Sequence, residues 1–181
     1  MRRANDFYET APWQVDALVD HLPELCGTVL CPCVGDGSLA RRLSERRPDL
    51  LIITNDIDVS KHADSHLDAT VQSHWNRIGA CSDLINWVVE NPPFNVEIDI
   101  LKHAYVYSQC GVVFMSRISF TEPTKERGPW LSTYPYDKRI TLERHSFTGN
   151  GHTDSATTDW LVWSKIPLAG PFGISAFGYR P

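Results

Sequence analysis

The chain has 181 residues, of which 42% are apolar, 22% charged and 10% aromatic, with a formal net charge of -5. That is enough apolar chain for one domain with a real core, and it excludes a disordered or fibrous protein. No apolar run is long enough to cross a bilayer, and no overall basic field would hold a polyanion.

The opening Met1-Arg2-Arg3-Ala4-Asn5-Asp6 lacks the apolar segment of a secretion signal, so a cytoplasmic location is expected. Thr28-Val29-Leu30-Cys31 reads as a strand. Ser38 to Arg47 reads as a helix, with Leu39 and Leu43 at helical spacing and Pro48 just past its end. Leu50 to Thr54 is a second strand and Leu84 to Val89 a third; Val96 to Gln109 is a helix and Gly111 to Met115 a fourth strand. Short connections between them favour a mainly parallel α/β sheet with helices on both faces. Beyond Ser116 loops lengthen, with candidate strands at Arg139 to Arg144, Trp160 to Trp163 and Gly173 to Gly178 that read as antiparallel edge strands. Cys26, Cys31, Cys33, Cys81 and Cys110 are odd in number, and the closest two flank one proline, which points to reduced thiols.

After the first strand, Gly35-Asp36-Gly37 makes a Gly-x-Gly turn that opens a helix and lets backbone approach a ligand closely. Alone it is equally a tight strand-to-helix connection, and Ala40 stands where the dinucleotide fingerprint has its third glycine. The ligand reading gains from Asn55-Asp56-Ile57-Asp58 at the end of the second strand, where a carboxylate can accept both hydroxyls of a ribose. Asp56 is preferred to Asp58, a candidate solvated acid. Asp68 could face the amine edge of an adenine, or be only a turn acid.

Asn91-Pro92-Pro93-Phe94 follows the third strand. Its two prolines end the ladder and stiffen a loop in the crevice where open α/β sheets bind ligands. An exocyclic amine on an aromatic base is a poor nucleophile because its lone pair is delocalised into the ring. Acceptors on its hydrogens, the Asn91 side-chain carbonyl and the Pro92 backbone carbonyl, would draw the nitrogen toward tetrahedral geometry. Phe94 then offers a face on which the base can stack. The bland alternative is a Pro-Pro loop with a buried Phe.

In this order, Thr10, Gly35-Asp36-Gly37, Asp56, Asp68 and Asn91-Pro92-Pro93-Phe94 resemble the class I S-adenosylmethionine-dependent methyltransferases, and most the short phage and prophage DNA adenine-N6 type. Asp6-Phe7-Tyr8-Glu9-Thr10 is similar to their Asp-Phe-Tyr-x-Thr-Pro opening, with Ala11 in the proline position. The resemblance implies a Rossmann-like fold, S-adenosylmethionine as cofactor, DNA as partner and the cytoplasm of a bacterial or phage-infected cell. It implies cofactor contacts from Tyr8, Thr10, Cys31, Cys33, Gly35, Asp36, Gly37, Asp56, Ile57, Asp68, Ala69 and Asn91. Cys31 departs from the family, which has an acid there; Asp36 or a backbone carbonyl is the expected substitute for holding the methionine amino group. The chain divides on this view into a cofactor-binding and catalytic core over 1–118, substrate-contacting loops over 119–158 and closing edge strands over 159–181.

Charge is uneven: residues 117–147 carry six Lys/Arg against four Asp/Glu, while 48–99 carry two against nine. Arg117, Lys125, Arg127, Lys138 and Arg139 are therefore the candidate phosphate contacts, solvated loop cations being the alternative. The 146–155 tract could form a substrate-facing loop or a plain hairpin. Cys31 and Cys33 lack a second pair at ligand spacing, so no metal is expected. His62, His66, His74 and His103 read as surface or satisfied core residues, and Trp160 and Trp163 as packing. Methylation of an RNA adenine or a protein glutamine, or a non-catalytic cofactor-binding module, stand as alternatives.

Overall fold

A computed structural model describes residues 9–78, 84–143 and 157–169 and the backbone of 173–178. The strands that carry the motifs lie side by side in a seven-stranded sheet. β1 (Thr28–Cys31) pairs in parallel with β2 (Leu51–Thr54) on one side and β3 (Trp87–Glu90) on the other, and β3 pairs in parallel with β4 (Gly111–Arg117). β5 (Lys138–Leu142), β6 (Thr158–Ser164) and β7 (Gly173–Gly178) complete the order β2-β1-β3-β4-β6-β5-β7. The antiparallel pairing falls in this outer half as expected: β6 runs against both β4 and β5, and β7 is parallel to β5.

Every residue of β1 and β3 is buried because helices cover both faces. On one face α1 (Pro12–His21) and α2 (Ser38–Arg46) bring Val15, Leu18, Leu39 and Leu43 onto Val29, Trp87, Val89 and Val113. On the other, α3 (Glu97–Tyr107) lays Ile98, Leu101 and Ala104 on Leu30, Val88, Val112 and Phe114. Trp160 is buried on the first face and Trp163 on the second, so both tryptophans do pack the core. α4 (Gly128–Thr133) sets Trp130 against the second cluster. Arg42 clamps Asp16 of α1 through Nε and Nη2, each at 2.8 Å, and Arg46 reaches Asp16 and Asp20. Hydrogen bonding from Arg42 holds the Asp16 carboxyl below its usual range.

The third strand is displaced from its expected span of Leu84 to Val89. Leu84 is 57% exposed, and Asn86 serves the turn at Gly27 instead, its Oδ1 accepting the Thr28 N–H at 2.8 Å. The strand therefore runs to Glu90. Among the described residues no helix is long and apolar enough to cross a membrane.

Candidate active site

Because β1 is flanked by β2 on one side and β3 on the other, successive connections leave it in opposite directions. A crevice opens at such a switch point beyond the carboxyl ends of the strands. A cavity of about 560 Å³ lies there, within the range of small-molecule sites. Cys33, Gly35, Asp56, Ile57, Asp68, Ala69 and Asn91 line it, so most of the expected cofactor residues meet at one place.

The turn after β1 has Gly35 at φ 59° and Gly37 at φ 77°, left-handed values that disfavour a side chain. A Cβ on Gly37 would meet nothing within 4 Å, so conformation and not crowding calls for glycine there. Asp56 Oδ2 accepts the Gly35 N–H at 2.8 Å and its Oδ1 accepts the Asp58 N–H at 2.9 Å, so this carboxylate fixes the turn from β2. Asp68 accepts the Thr70 N–H and hydroxyl at 2.8 and 2.7 Å, and hydrogen bonding from Thr70 lowers its pKa. Asp68 is thus a turn acid that also lines the cavity. Ile57, 64% exposed, puts an apolar side chain at the mouth.

Asn55 and Glu90 were not singled out from sequence. Asn55 is fully buried; its Nδ2 donates to the Pro32 and Leu67 carbonyls, and its Oδ1 accepts from Ser65 and Leu67. It stitches the 65–67 segment to the end of β1. Glu90 closes β3, and its carboxylate accepts the Cys33 N–H at 2.6 Å and the Asn91 N–H at 2.8 Å. The available signal was a carboxylate ending an apolar strand directly before the loop.

Of the catalytic-loop candidates, Asn91 and Pro93 line the cavity and Pro92 and Phe94 do not. Asn91 Nδ2 donates to the Thr10 hydroxyl at 3.2 Å, joining residues 81 positions apart and directing the amide nitrogen to Thr10. Pro92 is buried and Pro93 lines the cavity. Phe94 faces a second cavity of about 340 Å³, lined also by Phe120, Lys125, Glu126 and Arg127. The Arg117 guanidinium lies 4.2 Å from the centre of the Phe94 ring, a cation–π contact. Behind the loop, Glu97 at the start of α3 accepts a hydrogen bond from the Ser116 hydroxyl, and burial pushes its pKa up to about 8.

Several expectations are corrected. Cys31 does not line the cavity: its side chain is fully buried in the core on the α1 and α2 side. Asp36 and Gly37 shape the turn but also stand off the cavity wall, Asp36 accepting the Ser38 N–H at 3.0 Å. Lys138 does not join a basic surface, being 7% exposed on β5, and Arg139 is tied to buried Asp159 in an ion pair. Lys125 is exposed, while Arg127 donates to the Ser119 and Glu122 carbonyls at 3.2 and 3.4 Å. Tyr8, Cys81, Arg144 and the 146–155 tract lie outside the described residues. His66, His74 and His103 each have a ring nitrogen within 3.3 Å of a backbone carbonyl. Among the described residues no group of His, Cys, Asp or Glu is placed to hold a metal ion.

No protein-family model matches the sequence, and no curated protein matches it. Solved structures do share its architecture. A protein from Listeria monocytogenes assigned to the class I S-adenosylmethionine-dependent methyltransferases is similar with a TM-score of 0.64 and 9% identity, over 97% of this chain and 67% of its own. The M protein of the type I restriction enzyme EcoKI gives a TM-score of 0.62 at 12% identity, over 93% of this chain and 46% of its own. The rRNA methyltransferase AviRa from Streptomyces viridochromogenes gives 0.57 at 11% identity, over 90% and 88%. The chain spans less than half the length of the EcoKI M protein. The fold is therefore the Rossmann-like fold of class I methyltransferases.

Proposed function

We propose that this protein is an S-adenosylmethionine-dependent methyltransferase that acts on the N6 amine of adenine in DNA. The observation that carries the reading is the convergence of Gly35, Asp56, Asn91 and Pro93 on one cavity, with Asn91 anchored to Thr10 and Phe94 facing the second cavity. The wall fits the cofactor: a carboxylate at Asp56 for ribose hydroxyls, an apolar cover at Ile57, and Asp68 with buried Ala69 beside it. When bound, the cofactor supplies a methyl group on a sulfonium, an electrophile that needs no further activation.

The chain's own residues have then to bind, orient and exclude water. Thr10 and Glu90 hold Asn91 from its side chain and its backbone, so little reorganisation is left for the moment of reaction. The Asn91 side-chain carbonyl and the Pro92 carbonyl receive the two hydrogens of the amine and aim its lone pair. Phe94 provides the stacking face for an extruded base, with Arg117 across the ring as its counterpart. Arg117, Lys125 and Arg127 cluster around Phe94 and its neighbouring cavity, which favours a polyanionic substrate close to the reacting base.

The test is incubation with methyl-tritiated cofactor and a panel of DNA, RNA and protein. Label in DNA adenine supports the reading. Label in RNA adenine or protein glutamine transfers the same chemistry to those substrates, and no label with intact cofactor binding points to a non-catalytic module.

A further inference from the structure

Asn95 lines both the cavity of about 560 Å³ and the cavity of about 340 Å³ beside Phe94, and among the described residues it alone lines both. Its neighbours divide between the two: Pro93 and Val96 face the larger, Phe94 and Ile98 the smaller. The backbone at this wall is fixed on both sides. The Val96 N–H donates to the Pro93 carbonyl at 3.1 Å, closing a turn around Asn95, and the Val96 carbonyl accepts the Ile100 N–H at 3.2 Å as α3 begins. Asn95 itself is exposed, and among the described residues nothing hydrogen-bonds its carboxamide.

Two ligands that react have to bring their atoms to about 3–3.5 Å of each other. With the cofactor in the larger cavity and the base on Phe94 in the smaller, that meeting falls at the wall both share. An adenine brings two kinds of polar group there. Its amine hydrogens go to the Asn91 and Pro92 carbonyls; the ring-nitrogen lone pairs flanking the amine, N1 on one side and N7 on the other, need a donor. Few donors face the smaller cavity. Arg127 is committed to the Ser119 and Glu122 carbonyls, and its backbone N–H occupies the Thr124 hydroxyl at 3.1 Å. Lys125 is exposed, and its ammonium is a strongly hydrated point charge. Asn95 stands at the junction with an uncommitted amide N–H pair, and a carboxamide is the side chain that best matches adenine edges.

We infer that Asn95 is a specificity-determining residue of the site: its Nδ2 donates to a ring nitrogen flanking the amine and so registers the base on Phe94 with the amine turned toward the larger cavity. This rests on the DNA adenine reading above and adds the side chain that reads the base.

The experiment compares wild type with Asn95→Ala and Asn95→Asp, which keeps the shape and removes the N–H donor. The substrates are duplex DNA with adenine, 1-deazaadenine or 7-deazaadenine at a methylated position. Wild type should lose about ten- to hundredfold in kcat/KM on the analogue whose missing lone pair Asn95 reads, and little on the other. Both variants should lose that factor on adenine and nothing further on the same analogue, because the bond is already gone. Their affinity for S-adenosylhomocysteine, read by calorimetry, should stay within about threefold of wild type. Both analogues methylated like adenine by wild type, or variant and analogue losses that multiply, would overturn the inference. So would a S-adenosylhomocysteine affinity that falls in step with turnover, which would make Asn95 part of the cofactor wall. Wild type that binds S-adenosylhomocysteine but leaves DNA adenine unmethylated overturns the substrate reading, and this inference with it.

Discussion

Replacing Asp56 with asparagine separates two tasks that one carboxylate performs. In the folded protein Oδ2 accepts the Gly35 N–H at 2.8 Å and Oδ1 the Asp58 N–H at 2.9 Å, at 8% exposure. An asparagine keeps one acceptor oxygen and turns an amide nitrogen toward the other N–H, leaving a poorly solvated donor unsatisfied. That costs about 1–3 kcal/mol, to be read as a lower urea midpoint without ligand. The ribose contact is a separate loss. Removing a charge-assisted acceptor for two hydroxyls is worth about 1.5–3 kcal/mol, or roughly ten- to 150-fold in the Kd for S-adenosylhomocysteine. Calorimetry reads the second effect at a temperature where the variant is still folded. A variant that loses stability but binds S-adenosylhomocysteine like wild type would make Asp56 a turn-holding residue only, and the ribose assignment would be wrong.

Asn91→Ala removes one preorganised acceptor and the 3.2 Å bond to Thr10; turnover should fall by about a hundredfold or more while cofactor affinity moves only a few-fold, and near-wild-type turnover would make the loop a structural turn. Exchanging Arg117, Lys125 and Arg127 together for glutamine should abolish DNA binding without changing cofactor affinity. With three phosphate contacts the wild-type log-log salt slope should be about -3, and a flat slope would point away from a nucleic acid. Glu97 has its pKa raised from an ordinary 4.5 to about 8 by burial, so the folded state holds its proton where the unfolded state has lost it. Stability then falls as pH rises from about 4.5 to 8, Glu90 adding in the same direction up to about 7. Glu97→Gln should flatten that slope and stabilise the protein at pH 8 by about 1–3 kcal/mol in urea unfolding, and an unchanged slope would refute the assignment.

The residues legible in sequence were those whose local chemistry announces itself. Strands such as Val112 to Met115 are buried on both faces and read as continuous apolar runs, and the two glycines mark a turn that needs positive φ. α1 was not read as a helix because Ala11 gives no side-chain cap; its N-terminus is closed instead by Gln14 reaching back to the Ala11 N–H at 2.8 Å. α4 begins on Gly128-Pro129, which sequence reasoning takes for a turn, and packing of Trp130 against Trp163 supports it. Lys138 and Arg139 were misplaced for a different reason. Charge counted along the chain carries no information about partners, and only the β5–β6 pairing, which brings Arg139 beside Asp159, shows that the charge is spent internally. Glu90 was not legible because its role depends on Cys33, 57 positions away in the chain.

Methyl transfer to an adenine amine held by Asn91 can be read in the product itself. The most direct measurement uses cofactor with a deuterated methyl group and duplex DNA, followed by digestion and mass spectrometry of the nucleosides. N6-methyldeoxyadenosine carrying the full deuterium label is expected with wild type, and at least about a hundredfold less with Asn91→Ala. Labelled product from Asn91→Ala at the wild-type level, or label on another nucleoside with adenine untouched, would contradict it.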